Sequence, residues 1–187
     1  MFVTGRRQAE LDTTVNEISA QHDGGEAIAV RSDVSVLEDL DRLYARVKDD
    51  SGRIDVLFPN VGVAEVARLG DITEEHFDRV FGINVKGLLF TVQKALPLLV
   101  DGASIILPAS VAASKDVEAT SVYNATKAAI RGFARTWAAE LAGRRIRVNA
   151  ISPGQVETPG LAAVAGEPTG HGAQEHPVGR HSPGADG

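Results

Sequence analysis

Short apolar runs alternate with amphipathic stretches of helical period along most of this chain, and that alternation constrains the fold more than any other feature. Residues 1–5, MFVTG, have the character of a strand stub. Leu11, Val15 and Ile18 recur at helical spacing and predict a helix from Gln8 to Gln21, stopped by Gly24 and Gly25. AIAV at 27–30 reads as a buried strand, and Asp33 and Ser35 are expected to cap a helix that carries Leu37, Leu40, Leu43, Tyr44 and Val47 inward. Gly52 ends that helix, and IDVLF at 54–58 makes a strand. Thr73 opens a long predicted helix reaching Leu99, with Gly82 and Gly87 as weak points and Pro97 near its end. The strand SIIL at 104–107, a helix over 121–142 and the strand IRVNAI at 146–151 complete the pattern, with turn residues Ser152, Pro153 and Gly154 behind them. Strands separated by helices of this length predict a parallel sheet covered on both faces, a doubly wound, Rossmann-like α/β fold.

That domain is expected to occupy residues 1–165. From Gly166 the chain turns to Gly, Pro, His and polar residues, with Val178 as its one aliphatic residue larger than alanine. Such a stretch cannot bury enough apolar surface to offset its ordering entropy, so 166–187 is expected to be a disordered tail. His171, His176 and His181 recur there every five residues, a spacing that converges no ligands on a helix or strand, and no metal site is expected. A formal net charge of −6 argues against a nucleic-acid partner, which needs a basic surface. Arg144, Arg145 and Arg147 are read as the solvated end of a helix, complementing its dipole. No apolar run is long enough to span a bilayer, residues 1–5 are too short for a signal sequence, and there is no cysteine for disulfide or thiolate chemistry. A cytoplasmic protein with no membrane partner is the expectation.

The chemistry begins with Tyr123 and Lys127. Four residues apart on a helix, the two side chains share one face, and an ammonium beside a phenol favours the phenolate. A tyrosine tuned in this way can give a proton to a carbonyl oxygen or take one from an alcohol. Alone, the pair is equally a packed helix residue beside a solvated lysine. Ser110 follows the strand SIIL at the carboxyl end of the sheet, where open α/β folds bind ligands. Its hydroxyl could hold a substrate oxygen, or simply cap a turn. Asn84, within I-N-V-K-G, is an uncomfortable residue inside a helix, where an amide bends the backbone or binds water; a plain core or surface amide is the other reading.

Asn84, Ser110, Tyr123 thirteen residues later, and Lys127 together resemble the Asn–Ser–Tyr–Lys tetrad of the short-chain dehydrogenase/reductase family. P-N-V-G at 59–62 is similar to the family's Asn-Asn-Ala-Gly element. R-V-N-A-I-S-P-G with Thr158 resembles its Pro-Gly-x-x-x-Thr loop, and Asp33 matches its adenine-contacting acid. The resemblance covers about residues 1–165. It implies a hydride-transfer enzyme working between a nicotinamide cofactor and a small carbonyl or alcohol substrate. Tyr123 would be the acid/base, Lys127 would ease its ionisation and hold ribose hydroxyls, Ser110 would orient the substrate oxygen, and Asn84 would anchor a relay water. Cofactor contacts would come from Arg6, Arg7, Asp33, Val34, Asn60, Val61, Gly62, Tyr123, Lys127, Pro153, Gly154, Val156 and Thr158. Two arginines and no acid after the first strand favour NADP over NAD, since arginine accommodates a 2′-phosphate. A homodimer or homotetramer is implied, built on the two long helices with Phe90, Val92, Phe133 and Trp137 on their apolar faces.

Three departures bear on this reading. The family's opening strand and its glycine-rich pyrophosphate turn find no match here, nor does its final strand. The first strand would be central to the sheet, so its loss would expose two strand edges. Pro59 and Val61 also replace the usual asparagine and alanine. The alternative reading is therefore an inactive fragment of the family, an interaction module or a product of gene prediction.

Overall fold

The computed structural model describes residues 1–21, 26–114 and 117–154. Strand β1 (Phe2–Gly5), helix α1 (Gln8–Gln21) and strand β2 (Ile28–Arg31) come first, followed by α2 (Leu37–Asp50) and β3 (Ile54–Leu57). Helix α3 (Glu74–Phe81) continues through a π-helical segment, Gly82–Gly87, into α4 (Leu88–Ala95). Strand β4 (Leu99–Pro108), helix α5 (Ser121–Glu140) and strand β5 (Arg147–Ile151) close the described region. Each predicted strand is present within a residue or two, except that β4 starts at Leu99 rather than at Ser104. Between the Ile54–Leu99 and Val56–Ser104 pairings β4 carries extra residues, and Gly102 makes the bulge at φ 85°, a conformation that strains any residue with a Cβ. The predicted stop at Gly24 and Gly25 and the tail at 166–187 lie outside the described residues.

All strand pairings are parallel, and helices separate successive strands, as the alternating pattern requires. The ladder is in two parts, however: β1 pairs with β2, and β3–β4–β5 forms a second sheet. Among the described residues no strand lies between β1 and β3, the place where the resemblance put a central one. Val56 and Phe58 beside that edge are 61% and 46% exposed, high for a parallel sheet, whose strands are ordinarily covered.

One core joins the layers. Leu40, Leu43, Tyr44 and Val47 of α2 meet Leu88, Val92 and Ala95 of α4, while Ile130 and Ala134 of α5 join Ile105 and Leu107 of β4. The Tyr44 hydroxyl, pushed to a high pKa by burial, donates to the Thr91 carbonyl at 2.7 Å and so keeps its proton inside the α2–α4 contact. Val92 belongs to this core; Phe90, Phe133 and Trp137 are half-buried against it, with the last two rings stacked 4.7 Å apart.

Three local expectations are corrected. The long helix from Thr73 is a chain of three segments, and Thr73 is its true cap, accepting from the His76 amide at 3.1 Å. Asp33 and Ser35 do not cap α2. Its N-cap is Val36, without a side-chain bond, because Asp33 Oδ1 is taken by the amide and hydroxyl of Ser35 at 2.9 and 2.7 Å. Arg144 does not serve the end of its own helix. It reaches across to the Leu96 carbonyl at 3.1 Å and to the Leu99 carbonyl, satisfying acceptors just past α4.

Candidate active site

The π-helical segment is the feature that builds the site. A π turn has an extra residue and widens the backbone, so it can push one side chain out of helical register. Here that residue is Asn84, fully buried. Its Oδ1 accepts from the Val63 amide at 2.8 Å, and its Nδ2 donates to the Val63 carbonyl at 2.9 Å and to Thr126 Oγ1 at 3.2 Å. Both amide protons are thus committed to the protein, and Asn84 acts as a clamp on the loop after β3. That loop also carries the P-N-V-G element. Consecutive tight turns, Asn60 N to the Phe58 carbonyl and Val61 N to the Pro59 carbonyl, both 2.8 Å, present Asn60 and Gly62 at the surface. A Cβ on Gly62 would stand 3.4 Å from Lys127 Nζ and 3.5 Å from Asn84 Oδ1, so the backbone approaches both groups closely.

Tyr123 and Lys127 lie in the first two turns of α5. Lys127 is 5% exposed, its Nζ donates to the Pro108 carbonyl at 2.8 Å, and it stands 5.5 Å from the centroid of the Tyr123 ring. Burial lowers the lysine's pKa from its ordinary value by penalising the charged form. One of three ammonium protons is spent on Pro108, leaving others for a ligand. The phenol and ammonium therefore share one place, as helical spacing predicted.

Ser110 follows β4 and is half-buried. Its Oγ accepts from the Ala112 amide at 3.1 Å, so the hydroxyl does cap a turn, while its own proton is left to donate. Val111 N donates to the Pro153 carbonyl at 3.3 Å, which sets Pro153, behind β5, against the Ser110 turn. Gly154 follows it, exposed; Val156 and Thr158 lie outside the described residues.

A second group gathers where β1 and β2 end. Asp33 is desolvated, which raises its pKa, but its two bonds from Ser35 and the Arg6 charge together bring it below the ordinary carboxylate value. Arg7 pairs with Glu10 on the solvent side. Arg6, Arg7, Gly5 and Thr14 line a cavity of about 270 Å3. Ser32, next to Asp33 and 4% exposed, holds a buried hydroxyl with no partner among the described residues. An orphaned buried hydroxyl beside an acid and a cation is what a bound polar ligand would satisfy. The two groups touch through Val34, whose side chain and carbonyl pack on Gly87 at the end of the π-helical segment.

Ser32, Thr126 and the Val63 backbone escaped the sequence reading. A serine closing an apolar strand immediately before Asp33 was the available signal for the first. No local signal exists for the other two, because their partner, Asn84, is distant in sequence.

A family model described as enoyl-(acyl carrier protein) reductase matches residues 1–184. The chain belongs to the short-chain dehydrogenase/reductase family. Within this family it is 43% identical over 160 residues to oxidoreductase asL5 of Sarocladium schorii, covering 84% of this chain and 62% of that protein. It is 36% identical over 145 residues to the tetrahydroxynaphthalene reductase of Pyricularia oryzae, covering 77% of this chain and 51% of the relative. A solved short-chain dehydrogenase/reductase from Brucella melitensis superposes with a TM-score of 0.79 at 28% identity, covering 87% of this chain and 64% of that one. This short-chain dehydrogenase/reductase chain thus spans about half to two thirds of the length of these relatives.

Proposed function

We propose that this chain carries the proton-transfer site of an NADP-linked oxidoreductase that interconverts a carbonyl and an alcohol. The observation that carries the reading is the buried Lys127 ammonium beside the Tyr123 ring, at the sheet end where the Ser110 hydroxyl donates to no partner among the described residues. The nicotinamide, when bound, supplies or receives the hydride. The chain's part is the proton. Ser110 donates to the substrate oxygen and orients it, and Tyr123 protonates that oxygen in reduction or, as phenolate, takes the alcohol's proton in oxidation. Lys127, buried beside the Tyr123 ring with ammonium protons to spare, is placed to hold the ribose hydroxyls and to fix the phenol's surroundings.

The groups around Arg6 fit a cofactor's adenosine end: a cation for a 2′-phosphate, Asp33 and Val34 for adenine, and the orphaned Ser32 hydroxyl as a further donor or acceptor. Asn60, Val61 and Gly62 with Pro153, Gly154, Val156 and Thr158 would hold the rest. A relative named for tetrahydroxynaphthalene reduction supports polyhydroxylated aromatics as the first substrate class to assay. The same reading takes the protein as cytoplasmic and as a homo-oligomer through α3–α4 and α5.

A specific observation favours a second reading, an inactive interaction module: the β1 and β3 edges are joined by no ladder among the described residues. Titration with NADPH, followed by cofactor fluorescence, separates the two. Saturable binding that exceeds NADH binding and weakens in Arg6→Ala, together with Tyr123→Phe binding normally but turning over at least about 100-fold more slowly, is the result expected of the enzyme. No saturable binding up to about millimolar NADPH would overturn it and leave the module.

A further inference from the structure

We infer that Thr126 is a positioning residue, the hydroxyl that anchors the Asn84 amide and so steadies the loop over Lys127. Its role rests on the order of protons in a buried relay. Thr126 is fully buried and its Oγ1 donates to the Tyr123 carbonyl at 2.7 Å. A hydroxyl has one proton, so toward Asn84 it can only accept. Asn84 Nδ2 faces Thr126 at 3.2 Å in the same orientation that the Val63 N–H and C=O select, so Thr126 gives the amide a third fixed point. Val63 is held at both its N–H and its C=O, and Gly62, one residue earlier, is held where its Cα faces Lys127 Nζ. One hydroxyl therefore ties three parts of the site together: the α5 backbone at Tyr123, the π-helical segment and the loop after β3.

Neither partner could be replaced by a neighbour. Both Asn84 protons have acceptors already, and a flipped amide would set Oδ1 against the Val63 carbonyl, oxygen on oxygen. A valine at 126 matches threonine in shape but offers Asn84 no acceptor, whereas a serine restores it. Thr126 touches no reacting atom; it acts through Asn84 and Val63.

The test compares Thr126→Val with Thr126→Ser. Amide hydrogen exchange at Val63 should quicken about tenfold in Thr126→Val and stay near wild type in Thr126→Ser, with the Ile105 amide in β4 unchanged in both. Unchanged Val63 exchange in Thr126→Val, or a parallel rise at Ile105, would overturn the inference, the second because it signals general loosening. This arm needs no activity and stands even if the oxidoreductase reading fails. The catalytic consequence rests on that reading. In protein that binds NADPH, Thr126→Val should lower kcat about tenfold while KM for NADPH holds within about twofold, with Thr126→Ser restoring kcat. An unchanged kcat in such protein would refute the positioning role.

Discussion

Replacing Gly87 with alanine sets two effects of opposite sign against each other. In a helix interior, glycine to alanine gains up to about 1 kcal/mol from backbone entropy and propensity. At Gly87 the added Cβ would lie 2.8 Å from Val34 Cγ2, 3.0 Å from the Val34 carbonyl and 3.3 Å from the Gly82 carbonyl. Two of the three obstacles are backbone, and the third belongs to a β-branched side chain with little χ1 freedom, so no rotamer change clears the space. Overpacking costs about 1–3 kcal/mol, and against backbone that cannot swing aside the upper part of that range, about 2–3 kcal/mol, applies. The net expectation for Gly87→Ala is a loss of about 1–2 kcal/mol, or roughly 2–8 °C in Tm for a domain of this size. Gly132 in α5 and Gly82 meet nothing within 4 Å, so Gly132→Ala should be neutral or stabilising by up to about 1 kcal/mol. Urea unfolding followed by far-UV circular dichroism measures both. Gly87→Ala as stable as wild type, alongside a normal response at Gly132, would show that the Val34 contact does not exist as described. Because Val34 follows Asp33, the same variant should also bind NADPH more weakly if the adenosine end lies there.

Two further predictions concern protons. Asp33 is desolvated, yet the Ser35 bonds and the Arg6 charge bring its folded pKa below the unfolded value, so it contributes stability above that unfolded value that disappears as pH falls through the folded one. Asp33→Asn should therefore be less stable than wild type at pH 6, with the gap closing on acidification below 3.8, the ordinary carboxylate value; a gap that persists unchanged at lower pH would contradict this. Lys127 has the opposite sign: burial lowers its folded pKa, so the folded state binds fewer protons than the unfolded chain between that lowered value and 10.5. Through that window wild type should gain stability relative to Lys127→Met as pH rises, and parallel pH profiles would remove the claim that burial disfavours the lysine's charge.

Much of the fold was legible because short apolar runs and helical periodicity are local. Strands β1, β2, β3 and β5 and helices α1, α2 and α5 sit where the pattern put them, within a residue or two, while β4 begins five residues early, at Leu99. The roles of polar side chains at helix ends were less legible, because each has competing partners near and far. Arg144 reads as the solvated end of its own helix, but its guanidinium finds carbonyls beyond α4. Asp33 and Ser35 looked like caps for α2, but they bond each other first.

The residues of the candidate site were readable one by one, since Tyr123 and Lys127 need only a helix to share a face and Ser110 only a strand to follow. What the chain order could not state is the geometry among them. A π turn instead of a continuous helix arises where a buried amide can bond a loop twenty-one residues away, and such a bond has no local signature. The same holds for the lysine. Helical spacing puts its ammonium near the phenol, but only packing under β4 buries it, turns one proton to the Pro108 carbonyl and lowers its pKa. Local pattern determines which groups are available; the desolvation and the long-range hydrogen bonds that give those groups their chemistry exist only once the chain has closed around them.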